Sequence, residues 1–183
     1  MSKELSKKRS RSAAGRLSRE LIVETALEQI DRSGAQGLSM RSLAQELGVE
    51  AMSLYRYVHG REDLLEGVIA LLLGRLTSNL DDELAEHWQG FLQDVAHKVR
   101  QIAIDHPHAF PLVATRHPAA PWLRPPLRSV EVVDMFLRTL LGHGFTDAQA
   151  VDAYRAFSSF LLGQLLLELS LIHISEPTRL LSI

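Results

Sequence analysis

Apolar residues in this 183-residue chain recur at spacings of three and four, and no stretch alternates at a period of two with β-branched enrichment. That pattern confines the chain to an all-α fold. Its centre is legible too. "LLEGVIALLLGRL", residues 64–76, is apolar almost all round. A helix with no polar side has to be buried on most of its surface, so this one is expected at the core. It should open near Glu62, because Glu62 and Asp63 suit a first turn, where carboxylates meet the positive end of the helix dipole.

Start and stop signals place the other helices. Ser18 can cap a helix with Ile22, Ala26, Leu27 and Ile30 on one face, and "DRSGAQG" ends it with two glycines. Ser39 can cap "MRSLAQEL", which points Leu43 and Leu47 inward, and Gly48 closes it in a left-handed conformation. A helix is predicted over about 82–104, with Leu84, Trp88, Phe91, Leu92, Val95, Val99 and Ile102 near helical spacing. The proline-rich "DHPHAFPLVATRHPAAPWLRPP" should hold loops or short helices. "RSVEVVDMFLRTLLGHG" and "TDAQAVDAYRAFSSFLLGQLLLEL" are two further helices, the second capped by Thr146. The helical period fades at Ser170 and Pro177 cuts the last stretch, so residues 171–183 are expected to be an odd tail, natural or foreign to the rest.

Charge is divided unevenly. Residues 1–61 hold 11 Lys and Arg against 7 Asp and Glu, a net +4, whereas residues 62–183 hold 9 against 15, a net −6. A basic front on an acidic body points to a polyanion partner for the front alone. Lys3, Lys7, Lys8, Arg9, Arg11 and Arg16 lie within an arm, residues 1–17, expected to be disordered in isolation and able to seek phosphate. There is no cysteine, hence no disulfide framework or thiolate chemistry. The charged N-terminus lacks a signal-peptide core, and the longest apolar run is broken by Gln164, Glu168 and His173, so neither export nor a membrane span is expected.

"GVEAMSLYRYV", residues 48–58, carries the functional signal. It follows a short capped helix and has little to bury: Leu54 and Val58, four apart, share one face. The rest stays free for another surface. A helix, a turn and a second helix is the arrangement that lays the second helix in the major groove of DNA. In that setting Ala51 and Met52 can touch thymine methyls. Arg56 can bond a guanine edge through two hydrogen bonds, worth ~1–3 kcal/mol of discrimination. Tyr55 and Tyr57 can give hydroxyls to phosphates, which sets register without reading sequence. The competing reading places both tyrosines half inside a core, with Arg56 simply solvated.

With these residues in view, "LSMRSLAQELGVEAMSLYRYVHGREDLLEGVI" resembles the DNA-binding domain of the TetR family of transcriptional repressors. "LAQELGV" matches the first helix of the motif, "LYRYV" the recognition helix and "REDLL" the start of the connecting helix. "DHPHAFPLV" and "SSFLLGQLL" are similar to the tetracycline-repressor-type C-terminal domain. The resemblance implies DNA contacts from Ser39 and Arg41 and from Ala51, Met52, Ser53, Tyr55, Arg56 and Tyr57, with Arg61 facing the phosphate backbone. Arg41 can instead pair with Glu46. Glu50 stands where many members have serine or threonine; its carboxylate can cap the recognition helix but repels phosphate. The implied organisation is a basic arm at 1–17, a helix-turn-helix DNA-binding domain at 18–64, a helical effector-binding and dimerisation domain at 65–170, and the tail at 171–183.

The implied function is a DNA-binding repressor, in the bacterial cytoplasm and on the nucleoid when bound. It would recognise a palindromic operator as a homodimer and leave it when a small effector binds. Trp88, Phe91, Phe110, Trp122, Phe136, Phe157 and Phe160 are candidates for the effector pocket, each also a plausible core residue. His106, His108 and His117 lack the spacing of a dedicated metal site and are read as loop histidines facing water, so no metal and no cofactor is expected. No constellation of catalytic groups stands out, and no enzyme activity is expected. If the tail is foreign, the chain is truncated and its dimer should be weak. The alternative function is a helical protein–protein adaptor without DNA binding.

Overall fold

The structure, a computed structural model, describes residues 17–78, 87–114 and 129–175, the side chains of 78 and 171–175 excepted. Its helices are α1 (Arg19–Ser33), α2 (Met40–Leu47), α3 (Ala51–Leu54), α4 (Arg61–Ser78), α5 (Trp88–Asp105), α6 (Phe110–Ala114), α7 (Val130–Gly142) and α8 (Asp147–Ser175), with a 3₁₀ turn at Ala35–Gly37. Among the described residues there is no strand, as the periodicity required. Two compact units divide the chain between Gly74 and Arg75. The division falls inside α4, ten residues beyond the boundary expected at residue 64.

In the first unit the caps lie where the sequence put them. The Leu21 amide donates to Ser18 Oγ at 3.2 Å and opens α1. Ile22, Val23, Ala26, Leu27 and Ile30 then form its buried face. Ser39 and Ser42 exchange side-chain and backbone hydrogen bonds as a capping box at the start of α2. Gly48 ends α2 at φ 68° and ψ 30°. In that left-handed conformation the Val49 amide reaches back to the Ala44 carbonyl at 2.9 Å and the chain turns at once into α3. Leu64, Val68, Ile69, Leu72 and Leu73 are buried along the part of α4 in this unit. Each such side chain contributes about 1.5–3 kcal/mol when withdrawn from water. Gly67 allows α1 to come close, since a Cβ there would stand 2.7 Å from Val23 Cγ2.

The second unit is a helical layer around α8. Helices α5, α6 and α7 all pack on it. Rings build the middle of its core: Phe136 lies edge-on to Phe91 at 5.5 Å and to Tyr154 at 5.3 Å, and tilted to Phe157 at 5.4 Å. Such pairs add about 0.5–1.5 kcal/mol each beyond the area they bury. Arg100 Nη2 donates to Glu168 Oε1 at 2.7 Å and ties α5 to α8 at the rim. Buried Asp94 pairs with Lys98 one turn on. Thr146 Oγ1 accepts the Gln149 amide at 3.4 Å and starts α8 as expected. Two expectations need revision. Helix α5 begins at Trp88, after His87, and the expected start at 82 lies outside the described residues. Helix α8 runs on to Ser175, because the fading apolar period at Ser170 removes a packing face without removing the capacity for i to i−4 hydrogen bonds.

Candidate nucleic-acid interface

Helix α2 and the short α3 meet through the Gly48 turn. Leu54 and Val58 are 0% and 1% exposed and anchor the segment, as the four-residue spacing predicted. The helix itself covers only part of the segment 48–58. Only Ala51–Leu54 is α-helical, and the next residues form a turn in which the Tyr57 and Val58 amides both donate to the Leu54 carbonyl, at 2.9 and 3.0 Å. Glu50 occupies the N-cap position, yet its side chain makes no capping hydrogen bond. The capping role open to it is therefore not taken, and the carboxylate is left exposed beside the segment.

Around those two anchors the remaining side chains face outward. Met52 is 74% exposed, Tyr55 48% and Tyr57 36%. Arg56, Arg41 and Ser39 are exposed, and Ala51 and Ser53 are half-buried. Against the competing reading, with both tyrosines half inside a core, Tyr55 and Tyr57 keep an outward edge that favours a partner surface. Arg41 does not pair with Glu46: Arg32, from the last turn of α1, takes that carboxylate. The surface thus combines an apolar thioether, two phenols and two guanidiniums. These groups suit base edges, thymine methyls and phosphates.

Arg61 makes contacts within its own unit. Its Nη2 donates to the Ala35 carbonyl at 2.7 Å and its Nε to the Leu38 carbonyl at 3.3 Å, while Nη1 lies 3.3 Å from Glu62 Oε1. A guanidinium that satisfies two carbonyls of the 35–38 turn supports the α1–α2 connection. Arg19, which the sequence shows only as one more basic residue of the front, has a partner that the sequence did not reveal. Its Nη2 donates to Asp63 Oδ1 at 2.6 Å, and its Nη1 to Asp63 Oδ2 at 3.0 Å and to the Tyr57 carbonyl at 3.1 Å. The Arg19 hydrogen bond, and next the His59 amide, hold the Asp63 carboxyl well below the usual carboxylate range. The same pair raises the Arg19 guanidinium. No local pattern could announce a partnership spanning 44 positions.

The aromatic pocket candidates separate into three groups. Phe91, Phe110 and Phe136 are fully buried among the core residues. Phe157 is half-buried against Phe136, and Trp88 lies edge-on to Phe145 at 5.5 Å. Phe160 is 75% exposed on α8, and Trp122 lies outside the described residues. A cavity of about 200 Å³ in the second unit is lined by other residues: Arg75, Leu76, Lys98, Gln101, Ile102, Asp105 and His106. His106 is half-buried there, its Nε2 3.1 Å from Arg75 Nη1, not a loop histidine facing water; His117 lies outside the described residues. Among the described residues no three His, Asp or Glu side chains stand together as a metal site, and no helix is long and apolar enough to cross a membrane.

A capped helix, a glycine turn and a short helix with an exposed polar edge, followed by a helical second unit, define a helix-turn-helix protein of the all-α class. Residues 22–68 match the bacterial regulatory proteins of the tetR family, and residues 82–179 match the tetracyclin repressor-like C-terminal domain. The second match alone takes in more than half of the chain, and the chain belongs to the TetR family. It is 32% identical over 153 residues to the class D tetracycline repressor protein of Escherichia coli, a match covering 82% of this chain and 66% of that protein. The chain therefore spans just under two thirds of that relative. Among solved structures, BioQ with its natural double-stranded DNA operator is similar at a TM-score of 0.66 and 27% identity, over 85% of this chain and 89% of that one. Streptomyces coelicolor ActR in complex with (S)-DNPA is similar at 0.68 and 27% identity, over 84% and 72%.

Proposed function

We propose that this protein is a DNA-binding transcriptional repressor that leaves its operator when a small molecule binds its second unit. The observation that carries the reading is the outward row Met52, Tyr55, Arg56 and Tyr57, held by Leu54 and Val58 at the end of a helix-turn-helix. The operator complex of BioQ and the ligand complex of ActR support the two halves of the proposal by similarity. In this assignment residues 1–17 are a basic arm, 18–64 the DNA-binding domain and 65–170 the effector and dimerisation domain. Ser39, Arg41, Ala51 and Ser53 complete the contact surface, and the protein works in the cytoplasm, on the nucleoid when bound.

A second copy of the chain is the partner that makes the operator a palindrome, with half-sites about one turn of DNA apart. Ala156, Phe160, Gly163 and Leu167 follow one another on α8 at helical spacing, all exposed, with Phe160 and Leu167 at 75% and 63%. Exposed apolar side chains at that spacing suit a twofold interface. The effector is expected in the second unit, where the cavity is lined by both apolar and charged side chains, Leu76 and Ile102 beside Arg75, Lys98 and Asp105.

Duplexes selected from random DNA by the protein, together with the DNA flanking its own gene, test the reading in a salt-titrated shift assay. Sequence-selective binding whose logarithm falls steeply with the logarithm of salt is the expected result. Absence of DNA binding at low salt, with capture of a protein through the same surface, favours the adaptor reading and ends this one.

A further inference from the structure

The recognition segment is too short to hold itself. Its four α-helical residues close barely one turn, its N-cap side chain makes no bond, and isolated turns of that length are unstable in water. Leu54 and Val58 fix its depth but leave its direction open. Two backbone groups beside Val58 are held from outside: the Tyr57 carbonyl accepts from Arg19 Nη1 at 3.1 Å, and the His59 amide donates to Asp63 Oδ2 at 2.8 Å. Arg19 and Asp63 are themselves joined by two hydrogen bonds, and His59 Nδ1 lies 3.3 Å from the same carboxylate. The starts of α1 and α4 and the end of the recognition segment thus converge on one ion pair.

We propose that Arg19 and Asp63 are positioning residues for operator recognition: by gripping the backbone on both sides of Val58 they set the direction in which Tyr55, Arg56 and Tyr57 project. The proposal rests on the DNA-binding reading above. Only a planar guanidinium can bridge a carboxylate and a carbonyl in this way; an ammonium is a point charge without the fork. The charge of Arg19 is neutralised by Asp63, whereas Arg41 and Arg56 make no ion pair among the described residues. Arg19 therefore acts on DNA through geometry, not as a phosphate contact. A second ion pair joining two helices of this unit, Arg32 with Glu46, links the end of α1 to α2 and holds no backbone group of the recognition segment. It is a matched control.

The two mechanisms give opposite signs for Asp63→Asn. Removing a carboxylate near DNA strengthens binding to every sequence if only charge matters. If Asp63 positions the segment, operator affinity falls about tenfold, the cost of one badly seated base contact, while binding to unrelated DNA holds or tightens. Arg19→Gln should lower the operator-to-unrelated ratio by a similar factor without changing the salt slope, and Arg19→Lys by less. Arg32→Gln should leave the ratio alone. Amide exchange, read without DNA, should speed up at His59 in Asp63→Asn while Ile22 and Ile30 keep their protection, showing that the unit is folded. Tighter operator binding by Asp63→Asn, or a uniform loss in Arg19→Gln with the salt slope reduced by about one, overturns the proposal. If the unaltered chain selects no DNA, the regulator reading falls as well. If it selects an operator and the variants discriminate equally well, only the positioning role falls.

Discussion

The two units use the same kinds of side chain for opposite ends. In the first unit Tyr55 and Tyr57 lie outward on a segment with two buried anchors, while in the second Phe91, Phe136 and Tyr154 interlock in the core and are 5% exposed or less. Residue type does not separate the two groups. Their neighbours do. Tyr55 and Tyr57 stand on a stretch that buries only Leu54 and Val58, so burying a phenol would cost the segment its outer face. Phe136 stands on α7 between Val132 and Leu140, both fully buried, and its ring fills the layer against α8. A stretch with little to bury serves a partner, and one rich in apolar residues at helical spacing serves its own core.

That contrast is broken most directly at Phe136. Phe136→Ala should cost about 3–5 kcal/mol, because the cavity left among Phe91, Tyr154 and Phe157 cannot collapse fully; chemical denaturation measures it. Leu54→Ala should cost about 2–5 kcal/mol for the same reason, and it should abolish operator binding in a shift assay as well, since it removes the anchor of the recognition segment. Arg56→Ala should leave denaturation unchanged to within about 0.5 kcal/mol, as exposed positions do. Its cost should appear instead as about 1–3 kcal/mol of lost operator discrimination, measured against single-base operator variants. Unaltered discrimination would remove Arg56 from the base-reading set. Gly48→Ala should destabilise the first unit by about 1–2 kcal/mol, because a Cβ is strained in the left-handed turn that joins α2 to α3.

The smallest effect is the pH response of the Arg19–Asp63 pair, and its sign follows from the direction of the shift. The folded chain holds the Asp63 carboxyl below its ordinary value, chiefly through the Arg19 hydrogen bond. The unfolded chain therefore binds this proton at a higher pH, near ~3.9. The stability the pair contributes is complete above that pH and is lost as pH falls below it toward the depressed folded value. Denaturation of the unaltered protein should show this loss on the acid side, whereas Asp63→Asn should lack that acid-side component and be less stable than the unaltered protein near neutrality by what the pair contributes. An identical acid limb in both would show that the pair contributes nothing to stability in solution.

Most of the frame was legible in the residues because it rests on local chemistry. Ser18, Ser39, Thr146 and Gly48 mark helix ends through hydrogen bonds a few positions away, and the run from Leu64 to Leu76 has no polar side to expose. Leu54 and Val58 were recognisable as anchors by their four-residue spacing. The aromatic pocket candidates were not separable, because helical spacing shows which rings share a face but not what covers that face. Arg61 and Arg19 illustrate the same limit for charges. Whether a guanidinium is free for phosphate depends on acceptors 23 to 44 positions away.

By itself, then, the sequence determined an all-α chain, the caps at Ser18, Ser39 and Thr146 and the turn at Gly48, and the short segment with too few apolar residues to be anything but a surface. Tertiary structure alone decided which arginines face outward and which hold the turn and the recognition segment in place, and which aromatic rings are core. The physical reason is range. Caps, glycine turns and apolar periodicity act within a few residues, whereas ion pairs and ring contacts depend on distances that exist only after distant helices have packed.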